Sequence, residues 1–164
     1  MIKKLFSITA LCDSAAKFAS AEYAATGLTA SIERTKSVYM QSCLTCHQFT
    51  GMSLPGAFPP RVGTEYVDGD PRRMVAMILK GVNPPLKVRE ITYVAKMLPL
   101  PTVYPILNDD KNVSDVVDYV RNSRGNNDEK GVSPEFVKKV RNEFSSRATP
   151  WTAAELLSSP VVAK

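Results

Sequence analysis

The sequence predicts an all-α fold with room for one short β-hairpin. Two observations carry that reading. Apolar residues recur at three- and four-residue spacing in separate stretches, the period of a helix with one buried face. Several stretches also carry start and stop signals: Asp, Ser or Thr at the opening, proline just inside, glycine after the end. The chain of 164 residues is 44% hydrophobic and 23% charged, which allows a buried core and argues against global disorder.

In chain order, residues 22–30 are small and polar and read as a flexible lead-in. Ile32, Lys36, Tyr39, Met40 and Cys43 fall at helical spacing and predict a helix from about Ser31 to Cys46. Gly51, Pro55, Gly56, Pro59, Pro60, Gly63 and Gly69 make residues 47–70 an ordered loop. Asp70-Pro71 supplies an N-cap and then proline at the first helical position. Met74, Met77, Ile78 and Leu79 give that helix its apolar face, and Gly81 ends it. Residues 82–107 are irregular, because Pro84, Pro85, Pro99, Pro101 and Pro105 forbid a long helix. Within them Leu86, Val88 and Ile91-Thr92-Tyr93 fit a short hairpin. From about Asp109 a third strong helix turns Val113, Val116, Val117 and Val120 inward with Tyr119 beside them, and Gly125 stops it. Residues 126–132 read as a polar hinge. Ser133-Pro134-Glu135 opens an amphipathic helix through Phe136, Val137, Val140 and Phe144, and Thr152 with Glu155 forms a capping box for a short last helix.

Counting residues excludes several functions. His47 is the one histidine, so any site needing two histidines is ruled out. Three cysteines, Cys12, Cys43 and Cys46, cannot make a disulfide framework. No run of ~20 apolar residues is present to span a bilayer. Lys plus Arg is 21 against 16 for Asp plus Glu, a net +5 too mild to imply nucleic acid. The N-terminus reads as a secretory signal peptide: basic Lys3-Lys4, apolar Leu5 to Cys12, and a cleavage site at Ala19-Ser20-Ala21. Asp13 and Lys17 interrupt that pattern, so a plain amphipathic helix competes with it. Leu11 is too large for the position before a lipidated Cys12.

Chemistry concentrates at Cys43-Leu44-Thr45-Cys46-His47. C-x-x-C-H is the attachment motif for haem c. Two thiols three residues apart at a helix end reach the two vinyl groups on one side of a porphyrin, and the next residue brings its imidazole under the iron. A structural zinc site needs four ligands, and only these three are near in sequence. A thioredoxin-like dithiol wants a strand before it and a helix after, whereas here a helix precedes it.

One motif and one histidine imply one haem with His47 as proximal ligand and a non-histidine sixth ligand. Met40 sits one turn before the motif, on the wrong side. Met52 follows His47 too closely to circle the porphyrin. Met74 and Met77 lie on a helix face, where core packing is the simpler role. Met97 lies in a proline-rich loop that can present a thioether to iron, and it is the expected ligand. Phe58, Tyr66, Ile78, Leu79 and Tyr93 are candidate walls of the haem pocket.

With these residues in place, the chain resembles a class I bacterial c-type cytochrome over roughly residues 29–127. The stretches Phe58-Pro59-Pro60, Gly81 to Val88, Thr92-Tyr93 and Pro150 to Leu156 look like a mono-haem subgroup with a C-terminal helical extension, found with periplasmic sugar and alcohol dehydrogenases. The resemblance implies a cytochrome c fold around one covalent haem, divided into a signal peptide (1–21), a cytochrome c domain (22–130) and a C-terminal extension (131–164). It implies that the Pro59 carbonyl accepts the His47 Nδ1–H bond, and that Tyr39 and Tyr119 meet where the first and last core helices cross. Three positions depart from the family pattern. Thr35 replaces the small glycine of the helix crossing. Arg61 replaces an apolar haem-packing residue, and is expected either to pair with a propionate or to face solvent. Met97-Leu98-Pro99 replaces Met-Pro.

His/Met ligation leaves iron no open site, and a soft thioether favours Fe(II) and raises the potential. The expectation is a periplasmic electron carrier rather than an enzyme. Its donor would be a periplasmic dehydrogenase and its acceptor an oxidase or another cytochrome, met through the exposed haem edge and steered by surface Lys and Arg. Two alternatives stand: a haem subunit held permanently on a dehydrogenase, and a haem enzyme or sensor with a displaceable sixth ligand. The tail stripe of Phe136, Val137, Val140, Phe144 and Trp151 packs on the core or docks a partner, with Lys138, Lys139 and Arg141 as its solvated face.

Overall fold

The computed structural model describes residues 34–128, 130–158 and 161. The expected signal peptide with Cys12, the lead-in over 22–30 and the helix start at Ser31 lie outside the described residues. Those described are mostly helical, with one two-stranded antiparallel hairpin. No helix among them is long and apolar enough to cross a membrane.

Helix α1, described over residues 34–42, turns at Cys43 and resumes as a single turn, α2 (Leu44–His47). Helical backbone thus reaches one residue past the expected end, with a break at the first cysteine. Helix α3 (Pro71–Lys80) has the expected cap, the Asp70 carboxylate accepting from Arg72 N–H, and it ends at Gly81. Strands β1 (Leu86–Val88) and β2 (Ile91–Tyr93) pair Leu86 with Tyr93 and Val88 with Ile91. The turn between them, Arg89-Glu90, takes positive φ at both residues, as a two-residue hairpin turn that follows strand twist requires.

Two further features differ from the sequence reading. A short helix, α4 (Leu100–Val103), sits in the proline-rich stretch, followed by a 3-10 turn over Pro105–Asn108. Proline excludes a long helix there but not this one, because Pro99 is the N-cap and Pro101 lies in the first turn, where no N–H is needed. Helix α5 (Asp110–Arg121) starts on the Asp109 cap but stops at Asn122, not at Gly125. The Asn122 side chain donates to the Asp118 carbonyl at 3.0 Å and accepts from Asp128 N–H at 3.0 Å, folding the next loop back over the helix end.

Helices α6 (Pro134–Glu143) and α7 (Ala153–Leu157) carry the expected Ser133 cap and the Thr152–Glu155 capping box. Helix α6 packs on both α3 and α5. Val137, Val140, Phe144, Trp151 and Leu156 are fully buried in the same apolar cluster as Val75, Val113, Val116 and Val117. Fully burying each such side chain contributes about 1.5–3 kcal/mol. Phe136 is half-buried against the cluster. The tail therefore shares the core. Lys138 and Lys139 are exposed, but Arg141 is not part of a solvated face: its Nε meets Asp110 at 2.7 Å and its Nη2 donates to the Leu107 carbonyl.

The segment following α3 joins three parts of the chain. Val82 and Met97 exchange both backbone hydrogen bonds, at 2.9 and 3.0 Å. On its other side, Trp151 N–H donates to the Gly81 carbonyl at 3.0 Å and Asn83 N–H donates to the Trp151 carbonyl at 2.8 Å. Gly81 has φ +75°, and a Cβ there would lie 2.4 Å from the Met97 carbonyl oxygen. Only glycine permits this approach.

Candidate functional site

Helices α1 and α2 deliver Cys43, Cys46 and His47 to one end of a cavity. Its empty volume is about 1340 Å³ including its open mouth, and its wall is largely apolar. Of the expected wall residues, Phe58, Tyr66, Ile78 and Tyr93 line it. Leu79 does not. It is buried in the core, because adjacent residues on a helix point about 100° apart and Ile78 already faces the cavity. Val116 and Val120 of α5 and Leu100, Val103 and Tyr104 around α4 complete the wall. The valines were legible as an inward stripe, though nothing in the sequence separates a cavity-facing position from a core-facing one.

Cys43 is buried and Cys46 exposed, both as free thiols. Burial pushes the Cys43 thiol pKa up. The His47 imidazole is partly open to the cavity, with Ser53 Oγ 3.3 Å from Nδ1. Its pKa is lowered to about 4 by burial first and by the nearby Arg61 guanidinium second; a hydrogen bond with the Pro59 carbonyl pulls the other way. His47 is thus a neutral imidazole at pH 7, the form that ligates metals. Pro59 lies on the cavity wall beside it.

Met97 lines the cavity, as do Met74 and Met77; Met40 and Met52 do not and are exposed. The five candidate thioethers reduce to three. Met97 comes from the loop that the pairing with Val82 holds, and the other two from the rigid face of α3. Among the described residues no group of three or more His, Cys, Asp and Glu side chains is placed to hold a metal ion.

Tyr39 and Tyr119 meet with ring centroids 5.1 Å apart, tilted by 47°, where α1 approaches α5. Thr35, one turn earlier, is fully buried. Burial raises the Tyr39 hydroxyl to about 12, and that hydroxyl donates to the Gln48 carbonyl at 2.8 Å.

Arg61 does not face solvent. It is buried, its guanidinium stacks 4.5 Å over the Tyr39 ring, and Nη2 donates to the carbonyls of His47 and Gln48. Its Nε and the Thr64 hydroxyl are buried without a partner, and both residues line the cavity. Sequence reasoning missed Ser53 and Thr64, whose roles depend on how the loop closes over His47.

The rest of that loop is held by long-range donors. Arg124 Nε donates to the Phe49 carbonyl, and its guanidinium lies over Tyr39, Tyr119 and Phe49. Arg89 donates to the carbonyls of Val62 and Gly63, Arg73 to that of Glu65, and Arg121 to those of Val67 and Gly69. Asn126 accepts from Gly63 N–H at 2.8 Å and donates to the carbonyls of Arg61 and Val120 at 2.9 and 2.8 Å.

No family model matches this chain, and no curated protein matches it either.

Proposed function

We propose that this protein is a mono-haem c-type cytochrome that carries single electrons in the periplasm, with haem joined to Cys43 and Cys46 and iron ligated by His47 and Met97. The observation that carries the reading is the coincidence of the C-x-x-C-H motif with one end of a large apolar cavity whose wall also presents thioethers. The polar exceptions in that wall fit the same group. A haem is apolar over most of its surface and carries two carboxylates, and the unpartnered Arg61 Nε and Thr64 hydroxyl are donors suited to a carboxylate. Bound there and held by His47 and Met97, haem would supply a reversible one-electron couple.

The chain's own residues do the remaining work. His47 is held neutral by burial, so it binds metal without first losing a proton. Pro59 and Ser53 orient its ring. The walls from α3, the hairpin and α5 exclude water, which favours the less charged state of a buried centre. The exposed Cys46 end, with Phe49, Met52 and Leu54 exposed on the following loop, offers an edge for transient contact with a dehydrogenase donor and an oxidase or cytochrome acceptor. Permanent attachment through the tail stripe is disfavoured, because that stripe is buried within this chain.

Production with a haem-attachment system tests the reading. The expected product has the mass of one covalent haem, lost in Cys43→Ala/Cys46→Ala. Its ferric spectrum should be low-spin with the far-red band of a methionine–iron bond. Met97→Ala should abolish that band, lower the potential and admit cyanide, while Met74→Leu and Met77→Leu retain the band. A wild type that is high-spin and binds cyanide rapidly would favour the enzyme or sensor alternative; loss of the band in Met77→Leu alone would reassign the ligand.

A further inference from the structure

We propose that the C-terminal segment around Trp151 is a strap that positions the Met97 loop, making Trp151 a positioning residue for the sixth ligand; the ligand part of this rests on the function proposed above. Backbone hydrogen bonds run without a break from Trp151 through the segment 81–83 to Met97. Trp151 N–H and carbonyl bind Gly81 and Asn83, and Val82 between them binds Met97 twice. The middle segment follows directly from α3, so it is fixed at one end by a helix and on both edges by pairing. Met97 has no such support from its other side. Val94 and Leu98 are exposed, Ala95 and Met97 are half-buried, and among the described residues no other backbone–backbone hydrogen bond ties residues 94–98 to another segment.

The strap is itself anchored. Trp151 is fully buried, its Nε1–H donates to the Ala76 carbonyl of α3 at 3.1 Å, and its ring meets Phe144 edge-on at 4.8 Å. The Arg147 guanidinium covers the indole at 3.7 Å and reaches Glu155 at 2.9 Å, whose carboxylate also closes the cap of α7. These contacts hold the edge against which residues 81–83 are placed. The close approach of Gly81 to Met97 leaves the loop little room to come nearer, and its paired hydrogen bonds with Val82 resist its retreat. Loss of the anchor frees one edge of the seam, and the loop that depends on the other edge loosens with it.

The test uses full-length holoprotein and two readouts. Native-state hydrogen exchange reads the seam directly. In wild type the amides of Val82, Asn83, Met97 and Trp151 should exchange as one unit, within about a factor of three in protection. Trp151→Ala should raise exchange at Val82 and Met97 at least tenfold more than at Val117 of α5, which reports global opening. Trp151→Phe, which keeps the ladder and most of the packing, should restore it. The second readout is cyanide binding to the ferric protein, expected to accelerate at least tenfold in Trp151→Ala and to return towards wild type in Trp151→Phe. Equal increases at Val82, Met97 and Val117 would overturn the strap, leaving only a general loss of stability. If Trp151→Ala does not fold, the wild-type exchange decides: Met97 exchanging far faster than Trp151 refutes the coupling. A wild type without the methionine–iron band removes the ligand assignment, and the exchange data then judge the strap by themselves. A band present in wild type with unchanged cyanide kinetics in Trp151→Ala would overturn the strap's role at the ligand alone.

Discussion

Two walls enclose the cavity, and they are held by different forces. The wall of α3 and α5 is apolar. Val75, Ala76, Val116 and Val117 are buried to within 1% exposure, and α6 packs on both helices. The wall from His47 to Gly69 contains no helix beyond His47, where α2 ends, and buries few large apolar side chains. Its carbonyls are instead gripped by Arg61, Arg73, Arg89, Arg121, Arg124 and Asn126. A loop rich in glycine and proline forms few regular backbone pairs: the Gly51, Leu54 and Thr64 carbonyls accept from within it, and Arg73, Arg89, Arg121, Arg124 and Asn126 bind others from elsewhere in the chain. Much of the positive charge that the sequence suggests for partner steering is therefore engaged inside the molecule.

The largest expected effect lies at the seam where the helical wall hands over to the Met97 loop. Gly81→Ala sets a Cβ against the Met97 carbonyl and forces an alanine to φ +75°, and should cost about 3 kcal/mol or more in denaturant unfolding. An alanine tolerated without loss would mean that the seam yields and the two walls are less distinct than described. Asn126→Ala comes next. It strands Gly63 N–H and the carbonyls of Arg61 and Val120, for an expected loss of about 2–3 kcal/mol. This loss should come with a loosened 47–63 loop in hydrogen exchange, while α3 changes only through global stability.

Arg124→Lys tests the grip itself. Lysine keeps the charge but cannot combine the in-plane bonds to Phe49 and Tyr119 with stacking on the rings. A loss of about 1 kcal/mol is expected, seen as faster exchange around Phe49; wild-type behaviour would reduce the role of Arg124 to charge alone. The smallest effect concerns pH. The Thr152 backbone N–H, aided by its hydroxyl and by Arg147, holds the Glu155 carboxyl below its ordinary range. Its folded-state pKa is depressed, so the stabilisation is present above the unfolded value and fades as pH falls through the lowered one. Melting temperatures followed from about pH 6 to about pH 3 should show a slightly shallower acid decline in Glu155→Gln.

The same contrast explains what the sequence disclosed. The caps at Asp70, Asp109, Ser133 and Thr152, the stripes of α3, α5 and α6 and the hairpin were all readable, because each is specified within a few neighbouring residues. Cys43, Cys46 and His47 were readable for the same reason, since their spacing is local. The α4 turn was hidden by prolines that break a helix interior but suit its first turn. The end of α5 was misplaced because Asn122 bonds to Asp128 as well as to its own helix. Leu79 was misassigned because the core continues behind α3 with the packed tail. The solvent-facing alternative for Arg61 fails because the residue is set by Tyr39 and by loop carbonyls that no local pattern connects to it.

The loop over His47 is gripped by its main-chain oxygens, which every amino acid possesses. Its exposed side chains, unlike those of Ser53, Pro59, Arg61 and Thr64, are consequently free to drift in sequence so long as its length, its turns and its distant arginines stay. Variation would then concentrate at positions such as Phe49, Met52 and Leu54, all exposed, and a change of surface character there would leave the architecture beneath intact. Much of the constraint on the segment's backbone is thus written outside it, at Arg89, Arg121, Arg124 and Asn126.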